Sequence, residues 1–374
     1  MKILIRVLCV FGNLNRGGAE SMCMNLYRKI DRTKIQFDFV KHTSEKCAFD
    51  DEIESLGGKI FIAPRFKIYY IFKYRKWWKI HLANHPEHKI IHGHVFTISS
   101  LFFSVAKKLN CITIGHSHST LSLNSEQNLK SMIRAFFRRN VEKLSDYCLA
   151  CSKSAGEFLF PNKDFTVLNN AIDTDKFIFN EDMRIQMRNT FEYEISDVVM
   201  CVVASFTEPK NPLGVLNIFE YIYSKNKNAK LLWVGDGPLR ASFDAKVSEL
   251  GLSGCVKTVG VRNDTFNVLQ AADVFMLASF FEGLPVSAVE AQASGLPCLL
   301  SNGISSETNI TGLCHFLPID NPERWYEALS NLEFCNRKNT KSEIVAAGYN
   351  VATTANWLQN FYTNIFEERN LRNE

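Results

Sequence analysis

Two doubly wound parallel α/β domains are what this 374-residue sequence predicts, and three observations predict them. The length suits two domains, each large enough to bury its own core. Apolar β-type runs alternate with helical stretches through nearly the whole chain, the pattern of parallel sheets covered by helices. Beyond several strand ends stand Gly-rich or polar loops, where such sheets bind their ligands.

The elements follow in order. Residues 2–11 read as a strand. Arg6 interrupts the run and no small-residue cleavage site follows, so a buried strand fits better than a signal peptide. Gly12 to Glu20 is a Gly-rich loop opening a helix from about Ala19 to Ile30, a place where backbone N–H groups can approach phosphate or sugar. Its spacing is not Gly-x-Gly-x-x-Gly, so no dinucleotide fingerprint is assigned. Strands are then expected at 34–41, 59–62, 89–93, 111–116 and 146–150, with helices near 50–56, 98–109 and 127–144. His94 and His116 fall just past two of these strands. A second series starts with the strand 198–204 and continues through Leu231–Val234 and 273–278 to helices near 321–331, 341–348 and 351–370.

Composition narrows the function classes. No run of 18 apolar residues occurs, which argues against a membrane-spanning helix. Eleven scattered cysteines suit reduced cytoplasmic thiols rather than a disulfide framework, and Cys148-x-x-Cys151 reads as structural. Charge is uneven: residues 1–165 carry 26 Lys+Arg against 14 Asp+Glu, the remainder 17 against 25. A basic first half implies an acidic partner for that half. Residues 65–81 hold six basic and seven aromatic side chains and no acid, and 130–143 is a second basic, apolar helix. Both suit the interface of an anionic membrane, or else core helices with solvated basic faces. No nucleic-acid motif accompanies the charge, so nucleic acid is not expected as a partner.

The most informative stretch is 278–303, read as strand end, tight loop, short helix, stop and strand. Pro285 suits a first helical position, Gly295 a left-handed C-terminal cap, and Pro297 a stop. Glu282 precedes the helix and Glu290 lies inside it, roughly 8 Å along the axis from the helix start. A helix N-terminus seats a phosphate, and a ribose beyond that phosphate meets Glu290, whose carboxylate accepts from two vicinal hydroxyls. The pattern points to a nucleotide-sugar site.

The string Glu-Gly-Leu-Pro-Val-x-x-x-Glu-Ala-x-Ala-x-Gly-x-Pro around Glu282 and Glu290 resembles the signature of the retaining GT-B glycosyltransferases of family four, closest to their bacterial exopolysaccharide and capsule branch. The resemblance spans nearly the whole chain and is most specific over 200–307. It implies a GT-B fold of an acceptor-side domain (1–168), a nucleotide-sugar domain (169–350) and a last helix (351–374) packing back on the first domain. The crossover Val167–Phe177 carries Ala171 where the family usually has Gly. The resemblance places Gly17, Gly18, Asn211, Arg262, Gly283, Leu284, Pro285 and Glu290 on the donor. It makes Glu282, His116 and Lys210 the catalytic group, with Glu282 on the sugar hydroxyls and Lys210 on the diphosphate. His116, within His116-Ser-His118, meets the sugar near its reacting carbon. Ser205 stands where the family usually has an Arg, whose two-pronged grip on phosphate a Ser cannot reproduce; Arg16 and Arg262 are the candidates to replace it. The clustered histidines raise zinc, but no Cys or carboxylate stands at ligand spacing and the resemblance implies no metal and no cofactor beyond the donor.

These readings converge on a cytoplasmic enzyme, peripheral on the inner face of the membrane through 65–81 and 130–143. It is expected to move a hexose or hexosamine from a nucleoside diphosphate, with uracil the expected base, to a glycan or polyprenyl-linked acceptor. A nucleotide-sugar-binding accessory subunit without transfer is the competing reading, favoured by Ser205. A GT-B epimerase or phosphorylase is a third, and no pyridoxal-phosphate lysine motif supports the latter.

Overall fold

The computed structural model describes residues 4–66, 70–118, 129–334 and 337–371, with the side chains of 129–134 left aside. The chain forms two units, Met1–Ile172 with Gly348–Glu374, and Asp173–Ala347. The sequence reading sets its boundaries at 168/169 and 350/351.

In the first unit, strands β1 (Ile5–Val10), β2 (Ile35–Lys41), β3 (Ile60–Ile62), β4 (His88–Gly93), β5 (Ile112–Ser117), β6 (Tyr147–Ala150) and β7 (Thr166–Val167) alternate with helices α1 (Gly18–Lys29), α2 (Asp50–Ser55), α3 (Ile71–Asn84), α4 (Ser99–Ala106), α5 (Leu129–Leu144) and α6 (Lys153–Leu159). Their described residues make one parallel sheet in the order β3-β2-β1-β4-β5-β6-β7. Alternate residues of a strand face opposite sides, and β1 is apolar on both. Val7 and Cys9 enter a core with α1, while Leu8 and Val10 enter another with α3 and α4. Arg6, the charge that breaks this run, forks onto buried Asp38 of β2 at 2.5 and 2.6 Å. His88 Nε2 and the Lys59 N–H complete that carboxylate's partners, each at 2.8 Å. Although burial pushes the Asp38 carboxyl up, these hydrogen bonds outweigh it and hold the group down at about 2.

In the second unit, β8 (Val198–Val203), β9 (Ala229–Val234), β10 (Val256–Thr258), β11 (Val274–Leu277), β12 (Cys298–Ser301) and β13 (Cys314–Leu317) form a parallel sheet ordered β10-β9-β8-β11-β12-β13. Its helices are α7 (Thr174–Phe177), α8 (Glu181–Thr190), α9 (Pro212–Lys225), α10 (Arg240–Glu249), α11 (Thr265–Ala271), α12 (Val286–Ala293), α13 (Pro322–Ser330) and α14 (Lys341–Ala346). Buried Asp273 pins α8 beside β11, accepting from Arg184 at 2.6 Å and Arg188 at 3.2 Å. Two Rossmann-like parallel sheets are the GT-B fold that the sequence predicts.

The last helix, α15 (Val351–Leu371), packs on α1, β1 and β2 of the first unit. Leu358, Tyr362 and Ile365 enter the same core as Phe37 and Phe39, with the Tyr362 ring edge-on to Phe37 at 5.8 Å.

Of the two readings of the basic aromatic segment, its described residues have the form of a core helix with a solvated basic face. Tyr74, Trp78 and Leu82 of α3 are core residues, with Trp78 stacked on Phe102 of α4 at 4.7 Å. Phe72 and Ile80, with Lys73, Lys76 and Lys79, stay exposed, as does Phe136 of α5. Helical spacing divides the aromatics between core and solvent. Residues 67–69 of this segment lie outside the described residues. No described helix is long and apolar enough to cross a membrane. All described cysteines are free and buried.

Replacing Tyr362 by Ala removes a fully buried ring and is expected to destabilise the first unit by about 3–5 kcal/mol. Urea denaturation followed by the signal of that unit's tryptophans is the check; a loss below 1 kcal/mol would mean the helix is a dispensable appendage.

Candidate functional site

The candidate site of the second unit lies past the C-terminal ends of β8 and β11. After β8 the chain runs through Ser205 and a single 3-10 turn, Glu208–Lys210, into α9. Asn211 holds the junction in the left-handed conformation (φ 51°). Its side chain accepts from the Gly214 N–H at 3.2 Å as the helix cap and donates to the Ala278 carbonyl at 3.2 Å. One asparagine therefore ties the loop after β8 to the end of β11, and Lys210 is aimed accordingly.

Lys210 Nζ meets Glu282 Oε2 at 2.5 Å, and the hydroxyl of buried Ser279 donates to Glu282 Oε1 at 2.6 Å. The Glu282 backbone is clamped as well: its N–H donates to the Gly303 carbonyl and its carbonyl accepts from Ser305 N–H, both at 3.0 Å. Gly303 is required here by close approach, since a Cβ would stand 2.1 Å from the Phe280 carbonyl oxygen. Ser279 and Ser301, whose hydroxyl donates to the Ser279 carbonyl at 2.5 Å, are functional neighbours the sequence reading missed. Their only signal is position, one three residues before Glu282 and the other at the end of the next strand.

Past Glu282, the N–H groups of Gly283 and Leu284 make no hydrogen bond among the described residues. Helix α12 begins at Val286, so Pro285 is the residue before the first turn (ψ 119°) rather than in it. In the first turn the Val286 and Ser287 N–H groups have no intrahelical acceptor, whereas those of Ala288 and Val289 donate back to the Pro285 carbonyl at 3.1 and 3.4 Å. Gly295 closes the helix in the left-handed conformation (φ 67°) as expected, with no room for a Cβ against the Lys338 carbonyl.

Glu290 sits about one turn along α12, partly exposed, and its carboxylate has no hydrogen-bond or ionic partner among the described residues. Burial pushes its carboxyl up to about 7. An acid left in this condition is suited to hydroxyl donors supplied from outside. Arg262 is committed elsewhere: its guanidinium grips Asp264 through two bonds of 2.8 and 2.6 Å. It can replace the missing Arg at Ser205 only by giving up that pair. Arg16 is exposed.

In the first unit, Gly17 is the N-cap residue of α1 and Gly18 its first residue. The Glu20 carboxylate folds back over this end, so that a Cβ on Gly17 would lie 2.2 Å from Glu20 Oε2. Burial raises the Glu20 carboxyl. His116 lies at the end of β5, its Nδ1 3.2 Å from His92 Nε2, and His92 Nδ1 meets the Tyr362 hydroxyl at 2.7 Å. His94 Nδ1 and His118 Nε2 are 2.8 Å apart. Burial depresses all four, His92 and His118 to about 3, so each ring is neutral at physiological pH.

Residues 16–176 match the model of "Glycosyltransferase Family 4" and residues 197–333 that of "Glycosyl transferases group 1". The chain is 30% identical over 377 residues to the putative glycosyltransferase EpsF of Bacillus subtilis, covering 97% of each. It belongs to the family 4 glycosyltransferases. It is also 25% identical to the capsular polysaccharide biosynthesis glycosyltransferase CapH of Staphylococcus aureus, over 80% of this chain and 82% of that one. Anabaena HepE, crystallised in complex with UDP, has the same fold, with a TM-score of 0.77 at 13% identity over 97% of this chain and all of the other.

Glu290 gives this member a measurable signature. A carboxyl raised in the folded chain keeps a proton that the unfolded chain releases. Stability is therefore greatest below the ordinary value of 4.5, falls as pH climbs to about 7, and is level above. Glu290→Gln is expected to match the wild type near pH 4.5 and to exceed it above pH 7, by on the order of 1–3 kcal/mol. Urea titrations at the two pH values check this; parallel losses in both proteins would refute it.

Proposed function

We propose that the chain transfers a hexose or hexosamine, with retention, from a UDP-sugar to a glycan or lipid-linked acceptor in the assembly of a bacterial surface polysaccharide. The observation that carries this reading is the grouping around α12: Lys210, the free N–H groups of Gly283 and Leu284, the helix N-terminus and the unpartnered Glu290. Breaking the bond between the anomeric carbon and the diphosphate oxygen leaves the electron pair on the phosphate. Lys210 and the N–H groups meet that charge without a metal ion. The acceptor oxygen bonds to the anomeric carbon on the face the diphosphate leaves, and its proton passes to the departing phosphate. Glu290 accepts from the ribose hydroxyls, and Glu282 from hydroxyls of the sugar rather than acting as a covalent nucleophile. The resemblance assigns His116 to the sugar as well. EpsF and CapH, by their names, favour a polysaccharide product, and the UDP bound in HepE favours the uracil base.

Ser205 favours a second reading, a nucleotide-sugar binder without transfer, because the two-pronged phosphate clamp is absent. Turnover decides between them. The purified chain is expected to hydrolyse or transfer from a UDP-sugar, and Lys210→Ala and Glu290→Ala each to lose ~10²–10³ in rate. Wild-type-like turnover in either variant would remove the assigned roles, and tight donor binding with no turnover in the wild type would establish the second reading.

The acceptor side includes a peripheral contact with an anionic membrane, made by exposed Phe72, Ile80, Lys73, Lys76 and Lys79 of α3 and by Phe136 of α5. Basic side chains near an anionic surface contribute about 1 kcal/mol each. Co-sedimentation is expected with vesicles containing phosphatidylglycerol but not with phosphatidylcholine alone, and to be lost in the Lys73, Lys76, Lys79→Glu triple variant. Equal binding to both vesicle types would dismiss the contact.

A further inference from the structure

A row of hydrogen bonds runs from the last helix to the end of β5. The Tyr362 hydroxyl lies 2.7 Å from His92 Nδ1, and His92 Nε2 lies 3.2 Å from His116 Nδ1. All three side chains are buried. His94 and His118 bond each other at 2.8 Å and make only ring contacts with His116 among the described residues. His116 Nε2, the last nitrogen of the row, has no hydrogen-bond partner among them.

Proton counting gives the row a direction. Burial keeps both imidazoles neutral, so each ring has one N–H and one lone pair. Either the Tyr362 O–H donates to His92 Nδ1 and the His92 Nε2–H to His116 Nδ1, which leaves the His116 proton on Nε2, or both bonds run the other way. Reversal would leave the Tyr362 O–H without an acceptor, since among the described residues its hydroxyl meets only His92. That ring is sealed in the core it shares with Phe37 and Phe39, so nothing from outside can relieve a stranded donor there. Such a donor costs more than an ordinary hydrogen bond gains. A phenol is also a better donor than acceptor, because its oxygen lone pair is drawn into the ring. His116 instead lies near the C-terminal end of its strand, where parallel sheets take their ligands. A donor left over at this end can be met by a ligand oxygen.

We infer that Tyr362 and His92 are positioning residues that hold His116 in its Nε2–H tautomer, as a hydrogen-bond donor to an oxygen of the sugar being transferred. The sugar rests on the proposed function; the direction of the row does not depend on it. At Nε2 His116 then offers a proton and no lone pair, so a sugar lacking that oxygen would leave a buried N–H unpaired and be discriminated against. Two hydrogen bonds thus give the last helix a share in sugar selection.

Two measurements test this, and one needs no turnover. Two-bond 1H–15N correlation on the 15N-histidine-labelled full chain at neutral pH locates each ring proton. His92 and His116 are both expected to carry it on Nε2, and a proton on His116 Nδ1 overturns the inference. Tyr362→Phe keeps the ring in the core, and circular dichroism confirms its fold. It is expected to lower kcat/KM for hydrolysis or transfer from UDP-glucose or UDP-N-acetylglucosamine by ~2–10-fold, the worth of one net hydrogen bond. In a His116→Ala background the same substitution is expected to cost nothing further. Equal losses in both backgrounds would assign Tyr362 to packing alone and overturn its positioning role. Donor dissociation constants give the same cycle if the wild type binds without turnover. A wild type that binds neither donor refutes the proposed function, while the ring protons still decide the tautomer.

Discussion

The contact between Lys210 and Glu282 joins the loop after β8 to the loop after β11, and the remainder of the site is built to hold its two ends. Asn211 aims the lysine by bonding across to Ala278. Ser279 and the backbone of Gly303 and Ser305 aim the carboxylate. A cation and an anion fixed beside free N–H groups give a place where a dianionic group and a hydroxylated ring can each find a partner. Neither end is free to relax away, because both loops are pinned by hydrogen bonds that do not involve the charges.

Ser205 becomes easier to interpret in this setting. Its hydroxyl lies 3.2 Å from that of Thr207, a small polar surface where the family usually has an arginine. Arg262 is held by Asp264 and is not a ready substitute. The positive potential near α12 then rests on Lys210 and the backbone dipoles, a weaker grip on phosphate than a guanidinium fork. Under the proposed function, weak holding of a diphosphate would also ease its departure after transfer, and product release is a common bottleneck in enzymes.

Much of this was legible in the sequence. Alternating apolar runs predict both parallel sheets, and Gly295 and the placement of Glu282 and Glu290 around a short helix are read correctly because local rules govern them. Pro285 is misplaced by one position, since a proline suits both the first helical residue and the one before it. What stayed hidden depends on packing between segments remote in sequence. Tyr74 and Trp78 sit in a segment whose charge suggests solvent, yet helical spacing turns them against Phe102. Arg6 looks like a flaw in a strand until Asp38 and His88 stand beside it. His94, His116 and His118 stand out in the sequence, but His92 does not, because nothing local says that it meets His116 on one side and Tyr362 on the other.

The path of the chain has a consequence for biosynthesis. The second unit is one continuous stretch, whereas the first is completed only by residues from Gly348 onward. Phe37, Phe39 and His92 emerge from the ribosome more than 250 residues before their partner Tyr362, which itself bonds His92 across 270 positions. During translation the first sheet therefore waits with part of one face, beside α1, uncovered while the later-made domain can already close. That ordering makes the nascent first half the natural client of chaperones that hold exposed apolar surface.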